Sequence, residues 1–300
     1  MSESSPFSGV LDLLFGKKVP EAGPAAPAPT KPVRVMGIVN VTPDSFSDGG
    51  WLTTVEAAVA HGLTLVEQGA DILDIGGEST RPGADPVSEA DEIARVVPVI
   101  EGLRAAWPGP ISIDTMKPVV ARAAVAAGAT MWNDVTALGH APDSLATAAD
   151  LGCDLVLMHM RGEPRTMQAD PRYGDVVAEV TGWLSARAEA AMAAGVSRES
   201  IWLDPGIGFG KTPDHNLDLT ARLDRLTTTG FPILYGASRK RTIQAVDPTA
   251  TDPGDRLGGS LALALEAARR GAAILRVHDV RETVQALALQ AAVEAARPSA

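Results

Sequence analysis

The sequence predicts an α/β fold: a single-domain (β/α)8 TIM barrel over 32–298, preceded by a disordered, flexible Pro/Ala-rich tail at 1–31. Three observations predict it. Eight short apolar runs recur between residues 33 and 280, each ending in polar or charged residues. A helical pattern follows each run in strict alternation, which favours a closed barrel over an open doubly wound sheet. The runs are rich in Val, Ile and Leu, as parallel strands buried on both faces are. Such a barrel brings the C-terminal ends of all its strands to one face, so the polar ends converge there.

In chain order, the tail comes first. Its second half, PEAGPAAPAPTK, has linker composition. The apolar island from Val10 to Phe15 reads either as part of that tail or as a docking segment. The strand runs cover 33–40, 71–77, 111–115, 131–135, 154–160, 201–206, 232–238 and 273–280. The helical patterns cover 53–68, 86–106, 118–127, 143–151, 174–194, 214–229, 255–270 and 281–296. Gly128, Gly152, Gly195 and Gly271 each follow a helical run and suit its C-cap. Two loops, TPDSFSDGG at 42–50 and STRPGAD at 79–85, are dense in turn formers and follow the first two strands, so they overhang the polar face.

Composition narrows the function. A chain of 300 residues, 45% apolar, buries one large core. Its formal net charge of −11 and lack of a basic run argue against nucleic acid. No apolar stretch reaches the ~20 residues of a membrane span. The N-terminus lacks the pattern of a secretory signal. Cys153, the single cysteine, excludes an intrachain disulfide and a cysteine-based metal site, and it suits a reducing compartment.

DPGIGFGKT at 204–212 fails as a nucleotide loop. The P-loop's first Gly falls on Pro205, and Lys211 stands where the third Gly of the dinucleotide fingerprint belongs. Its glycines suit a tight turn beside a flat ligand. Asp114 and Asp204 each end a strand run. Each is either a helix N-cap or a carboxylate that recognises paired N–H donors such as those of an amino-pyrimidinone. Asn133 offers a donor and an acceptor to the same ligand. Arg276 and His278 lie two apart on one strand and share a face, suiting an anionic leaving group or ion pairs with neighbouring carboxylates. Asn40 is a turn residue or a hard-metal ligand. His159 is a satisfied barrel histidine or a site residue.

Together the motifs resemble dihydropteroate synthase. They are MGIVNVTPDSFSDGG at 36–50, DIGGESTRPG at 74–83, SIDT at 112–115, Asn133-Asp134-Val135, residues 157–161 with Thr166-Met167-Gln168, LDPGIGFGK at 203–211, Ser238-Arg239-Lys240 and RVHDV at 276–280. The set occurs in order over 33 to about 295. The resemblance implies a barrel enzyme of folate synthesis, a transferase that joins 6-hydroxymethyl-7,8-dihydropterin diphosphate to 4-aminobenzoate. It implies that Asp114, Asn133, Asp204 and Lys240 hold the pterin. Arg276, His278 and Asn40, with Mg2+, would hold the diphosphate. Thr80, Arg81, Phe46 and Ser238 would shape the 4-aminobenzoate site. Catalysis would rest on Asp204, Lys240, Arg276 and His278. The family's enzymes are typically cytoplasmic homodimers and sulfonamide targets. Two departures show: the Ser-Arg-Lys motif usually continues to Ile-Gly, and here Ile243 is followed by Gln244, and the tail at 1–31 lies outside the family core. A pterin-dependent methyltransferase and a non-catalytic pterin-binding paralogue are the other readings. The first needs neither the Ser-Thr-Arg-Pro-Gly loop nor Ser-Arg-Lys, and the second predicts lost site residues; all are present.

Overall fold

The computed structural model describes residues 33–41, 54–79, 85–162 and 166–296. The tail, Phe46, Thr80 and Arg81 lie outside them. Eight parallel strands pair in sequence order and close into a barrel: β1 (Arg34–Asn40), β2 (Ile72–Gly76), β3 (Ile111–Asp114), β4 (Met131–Asp134), β5 (Asp154–Met158), β6 (Ile201–Asp204), β7 (Ile233–Tyr235) and β8 (Ala272–Val277). Between and after them run α1 (Val55–Glu67), α2 (Glu89–Ala106), α3 (Pro118–Ala126), α4 (Ser144–Leu151), α5 (Val176–Ala193), α6 (Pro213–Ala221), α7 (Asp224–Thr227), α8 (Arg241–Val246), α9 (Leu257–Arg269) and α10 (Val280–Ala295).

Side chains alternate across each strand, so every second residue enters the barrel. Met36, Ile72, Met131, Val156, Leu234 and Ile274 fill its interior, with Trp202 packed against them. The alternate positions, including Val35, Leu73, Ile113, Trp132 and Leu203, pack outward against the helices in the larger core. Carrying the inward parity one step toward the C-terminal end gives Asp114, Asn133, Asp204 and Arg276. The register sets Asp114 beside both Gly76 and Asn133.

The helix starts have local causes. Thr54, Ser88 and Asp175 accept backbone N–H bonds as N-caps of α1, α2 and α5, which satisfies donors that the first turn leaves unpaired. Thr212 and His215 form a capping box on α6, and Pro118 opens α3. The four glycines expected at C-caps all take positive φ. Two elements differ from expectation. The helix expected over 214–229 breaks at Arg222 (φ −121°, ψ 28°), which turns both Leu223 and Leu226 into the core. The short helix α8 was not expected, because six residues are too few to show a helical period. Four strand runs also end two or more residues earlier than their apolar pattern, at Met158, Asp204, Tyr235 and Val277. The chain there leaves the ladder to build loops on the polar face.

One buried cluster ties the β2–α2 loop to the segment before α3. Lys117, just before α3, donates to Glu78 Oε2 (2.7 Å), Glu92 Oε2 (2.6 Å) and the Val87 carbonyl (2.7 Å). Glu78 Oε1 in turn accepts the Val87 N–H (3.1 Å). Residues 78 and 87 are therefore joined at the neck of the β2–α2 loop. Glu92 is fully buried, so its charge depends on the ammonium. We expect Lys117→Met to cost about 3–5 kcal/mol of stability in urea unfolding, because it strands two carboxylates; a loss below about 1 kcal/mol would contradict this account.

Candidate active site

Asp114, Asn133, Asp204, Lys240 and Arg276 line one cleft at the C-terminal end of the barrel. Val135, Met158, Phe209 and Gly236 complete its wall. Five of the residues singled out from sequence thus meet in one place.

The guanidinium of Arg276 anchors the cluster. Its Nε donates to Asp74 Oδ2 (2.5 Å) and its Nη2 to Asp114 Oδ2 (2.7 Å). Asn133 Nδ2 donates to the same Asp74 oxygen (3.2 Å). Burial pushes the Asp114 carboxyl up to about 7, against the pull of Arg276 and with help from the nearby Asp74, Glu92 and Asp134. Burial by itself would lower Arg276, but Asp74, Asp114 and Asp204 more than offset it and hold the guanidinium charged. Asp114 is therefore an ion-pair partner, not a helix cap; the residue preceding α3 is Lys117.

Asp74 is the site residue that sequence reasoning missed. It is fully buried in mid-strand and binds both Arg276 and Asn133. The available signal was a carboxylate inside the apolar run 71–77, at the inward parity of Ile72 and Gly76.

Asp204 ends β6. Its Oδ1 accepts the Gly206 N–H (2.7 Å), closing a turn and leaving Oδ2 outside that bond. Burial raises its pKa, opposed by Lys240 and the turn N–H. The turn needs glycine: Gly206 has φ +66°, and a Cβ there would sit 1.9 Å from the His159 carbonyl oxygen. Beneath it, the buried Lys211 ammonium donates to Gly206 O (2.9 Å), Phe209 O (3.0 Å) and His159 O (3.2 Å), and meets His159 Nδ1 at 2.9 Å. Burial and the Lys211 charge push His159 down to about 3, so its ring is neutral and accepts from the ammonium. His159 is the satisfied barrel histidine. Lys211 shapes the 206–211 turn and presents Phe209 to the cleft.

Lys240 reaches back over the Phe209 ring (4.7 Å to the centroid) and donates to the Ile207 carbonyl. Burial lowers it to about 8, while Asp204 supports its charge. Ser238 and His278, beyond the ends of β7 and β8, face each other. Ser238 Oγ lies 3.0 Å from His278 Nδ1 and accepts the His278 backbone N–H at 3.2 Å. Asn40 ends β1 opposite Gly76 in the ladder. A Cβ on Gly76 would lie 3.6 Å from Asn40 Oδ1 and 3.8 Å from Asp114 Oδ2. Asn40 therefore flanks Asp114 across the side-chain-free surface of Gly76.

The cleft offers two carboxylates and an amide suited to a flat polar ring, an aromatic face and a thioether, and the cationic groups of Lys240 and Arg276. The comparisons agree with this chemistry. The family model described as pterin binding enzyme matches residues 36–278. The dihydropteroate synthase of Escherichia coli (strain K12) is 47% identical over 253 residues, which span 84% of this chain and 89% of that protein. The Xanthomonas albilineans dihydropteroate synthase solved with 4-aminobenzoic acid superposes with a TM-score of 0.82 at 55% identity, covering 89% of this chain and 95% of that one. The Yersinia pestis enzyme in a sulfonamide drug complex gives 0.84 at 42% identity, covering 91% and 100%. With a family match over most of the barrel and close relatives along nearly all of it, the chain belongs to the dihydropteroate synthase family of pterin-binding enzymes.

Proposed function

We propose that the chain joins 6-hydroxymethyl-7,8-dihydropterin diphosphate to 4-aminobenzoate, releasing diphosphate and 7,8-dihydropteroate. The convergence of Asp114, Asn133, Asp204, Lys240 and Arg276 on one cleft carries this reading. Asp204 and Asp114 accept N–H donors of the pterin, Asn133 adds amide contacts, and Lys240 donates to a ring acceptor. Phe209 and Met158 supply apolar surface to the ring.

In the reaction, the bond between the pterin methylene and the diphosphate oxygen breaks and its electron pair leaves with diphosphate. The cation left on the methylene delocalises into the ring, where Asp204 and Asp114 stabilise it. The amine nitrogen of 4-aminobenzoate then bonds to the methylene carbon and loses a proton to solvent. That amine is neutral at pH 7, so no strong base is needed. Arg276 and His278 face the departing charge, and stabilisation of such charge by one donor typically contributes ~3 kcal/mol. Ser238, with Thr80, Arg81 and Phe46, shapes the arylamine side.

Mg2+ fits this site with Asn40 as its ligand from the chain. An amide oxygen is a hard donor, Asn40 flanks Asp114, and magnesium that takes its remaining ligands from phosphate and water needs no protein cage. When bound, it neutralises charge on the leaving diphosphate. The same reading extends to sulfonamide inhibition, a homodimer and a cytoplasmic location, the last in keeping with the lone cysteine Cys153.

Three outcomes follow. Purified protein given both substrates forms dihydropteroate and diphosphate with Mg2+ and stops with EDTA; no product under either condition defeats the proposal. Asp204→Asn lowers kcat/KM about 100-fold or more while the urea midpoint barely moves; a near-normal rate removes Asp204 from the mechanism. The pH profile of kcat/KM for the pterin substrate is a bell. It rises as Asp114 ionises through about 7 and falls as Lys240 loses its proton through about 8, since this ratio reports the free enzyme. In Asp114→Asn the acidic limb should flatten; an unchanged limb would assign it to another group.

A further inference from the structure

Arg239 sits between two residues that the proposed reaction uses, Ser238 and Lys240, yet is not among the described residues that line the cleft. Its backbone is left-handed, φ +58°, a conformation that costs a non-glycine residue about 1–3 kcal/mol and persists only where its surroundings enforce it. Contacts with three described residues help enforce it. The Arg239 N–H donates to Ser260 Oγ (2.9 Å), its carbonyl accepts from Arg256 Nη1 (3.0 Å), and its guanidinium grips both oxygens of Asp279 (Nε 3.1 Å, Nη2 2.5 Å).

Asp279 is equally unusual. It occupies the N-cap position of α10 but makes no side-chain cap bond, although aspartate is among the best capping residues. Both its oxygens go to Arg239, 40 positions earlier in sequence. A strained residue in the β7–α8 loop and an unspent cap at the start of α10 thus hold each other beyond adjacent strand ends. Immediately beside them, Ser238 Oγ meets His278 Nδ1 and the His278 N–H.

We infer that Arg239 and Asp279 form a positioning strut that sets His278 and Ser238 at the diphosphate side of the site. Neither residue touches the substrate; the pair acts by fixing the spacing of the β7 and β8 ends. The inference rests on the reading above in which His278 faces diphosphate.

Two variants separate this role from general stability. Arg239→Gly deletes the strut and relieves the left-handed backbone. Asp279→Asn deletes the charge and leaves a side chain able to cap α10. Both are expected to keep Tm within about 3 °C of the parent. Calorimetry with 6-hydroxymethylpterin, which lacks the diphosphate, should give an unchanged Kd in both. Calorimetry with inorganic diphosphate and Mg2+ should show binding weakened about tenfold, matched by a similar fall in kcat, as expected when a supporting contact is lost. Unchanged diphosphate binding in both variants overturns the inference, and so does a parallel loss of pterin binding. If Arg239→Gly fails to fold, Asp279→Asn decides alone. A parent protein without turnover defeats the reaction reading, while the diphosphate titration still judges the strut.

Discussion

The shared guanidinium of Arg276 is the interaction on which the site depends. It spans the barrel from β8 to β2 and β3, binding Asp74 and Asp114 at once. Three carboxylates, Asp74, Asp114 and Asp204, lie in or beside one desolvated cleft. Without Arg276 and Lys240 their mutual repulsion and lost hydration would be uncompensated. The same desolvation gives the cluster its chemical sensitivity. Asp114 is raised and Lys240 lowered toward neutrality, so small changes in their surroundings can alter the protonation state of each. For Asp114 the linkage has a definite sign. The folded chain holds that proton more tightly than the unfolded chain, so stability falls as pH rises from the ordinary carboxylate range to about 7.

Around this centre, basic side chains serve as scaffolding. Lys117 closes the neck of the β2–α2 loop, and Lys211 pins the turn after Asp204 by three carbonyls and a histidine. Arg239 bridges the ends of β7 and β8. Each fixes a loop that the closed ladder does not reach. A barrel without sheet edges is rigid in its strands, but its strand-end loops need their own fastenings. Buried ammonium and guanidinium groups supply several directed bonds at once.

The sequence was legible where chemistry repeats along the chain. Alternating apolar runs and helical patterns gave the barrel. Polar residues at the ends of the apolar runs gave Asp114, Asn133, Asp204 and Arg276, and the motif set gave the family. It was less legible where a feature is short or depends on distant partners. Six-residue α8 has no period to detect, and the break at Arg222 depends on where Leu223 and Leu226 must pack. Asp74 looked like one polar residue in an apolar run until Arg276, 202 positions away, was found against it.

By itself, then, the amino-acid order determined the class of fold, the face on which the site lies and the residue types that occupy it. These follow from local periodicity and from the rule that parallel strands end on one side. Only the tertiary structure decided which charge pairs with which. It committed Arg276 to two aspartates, assigned Lys211 and His159 to support, and turned Asp279 from its helix toward Arg239. Ion pairing depends on distance and desolvation in three dimensions, and neither is written in the spacing of residues along a chain.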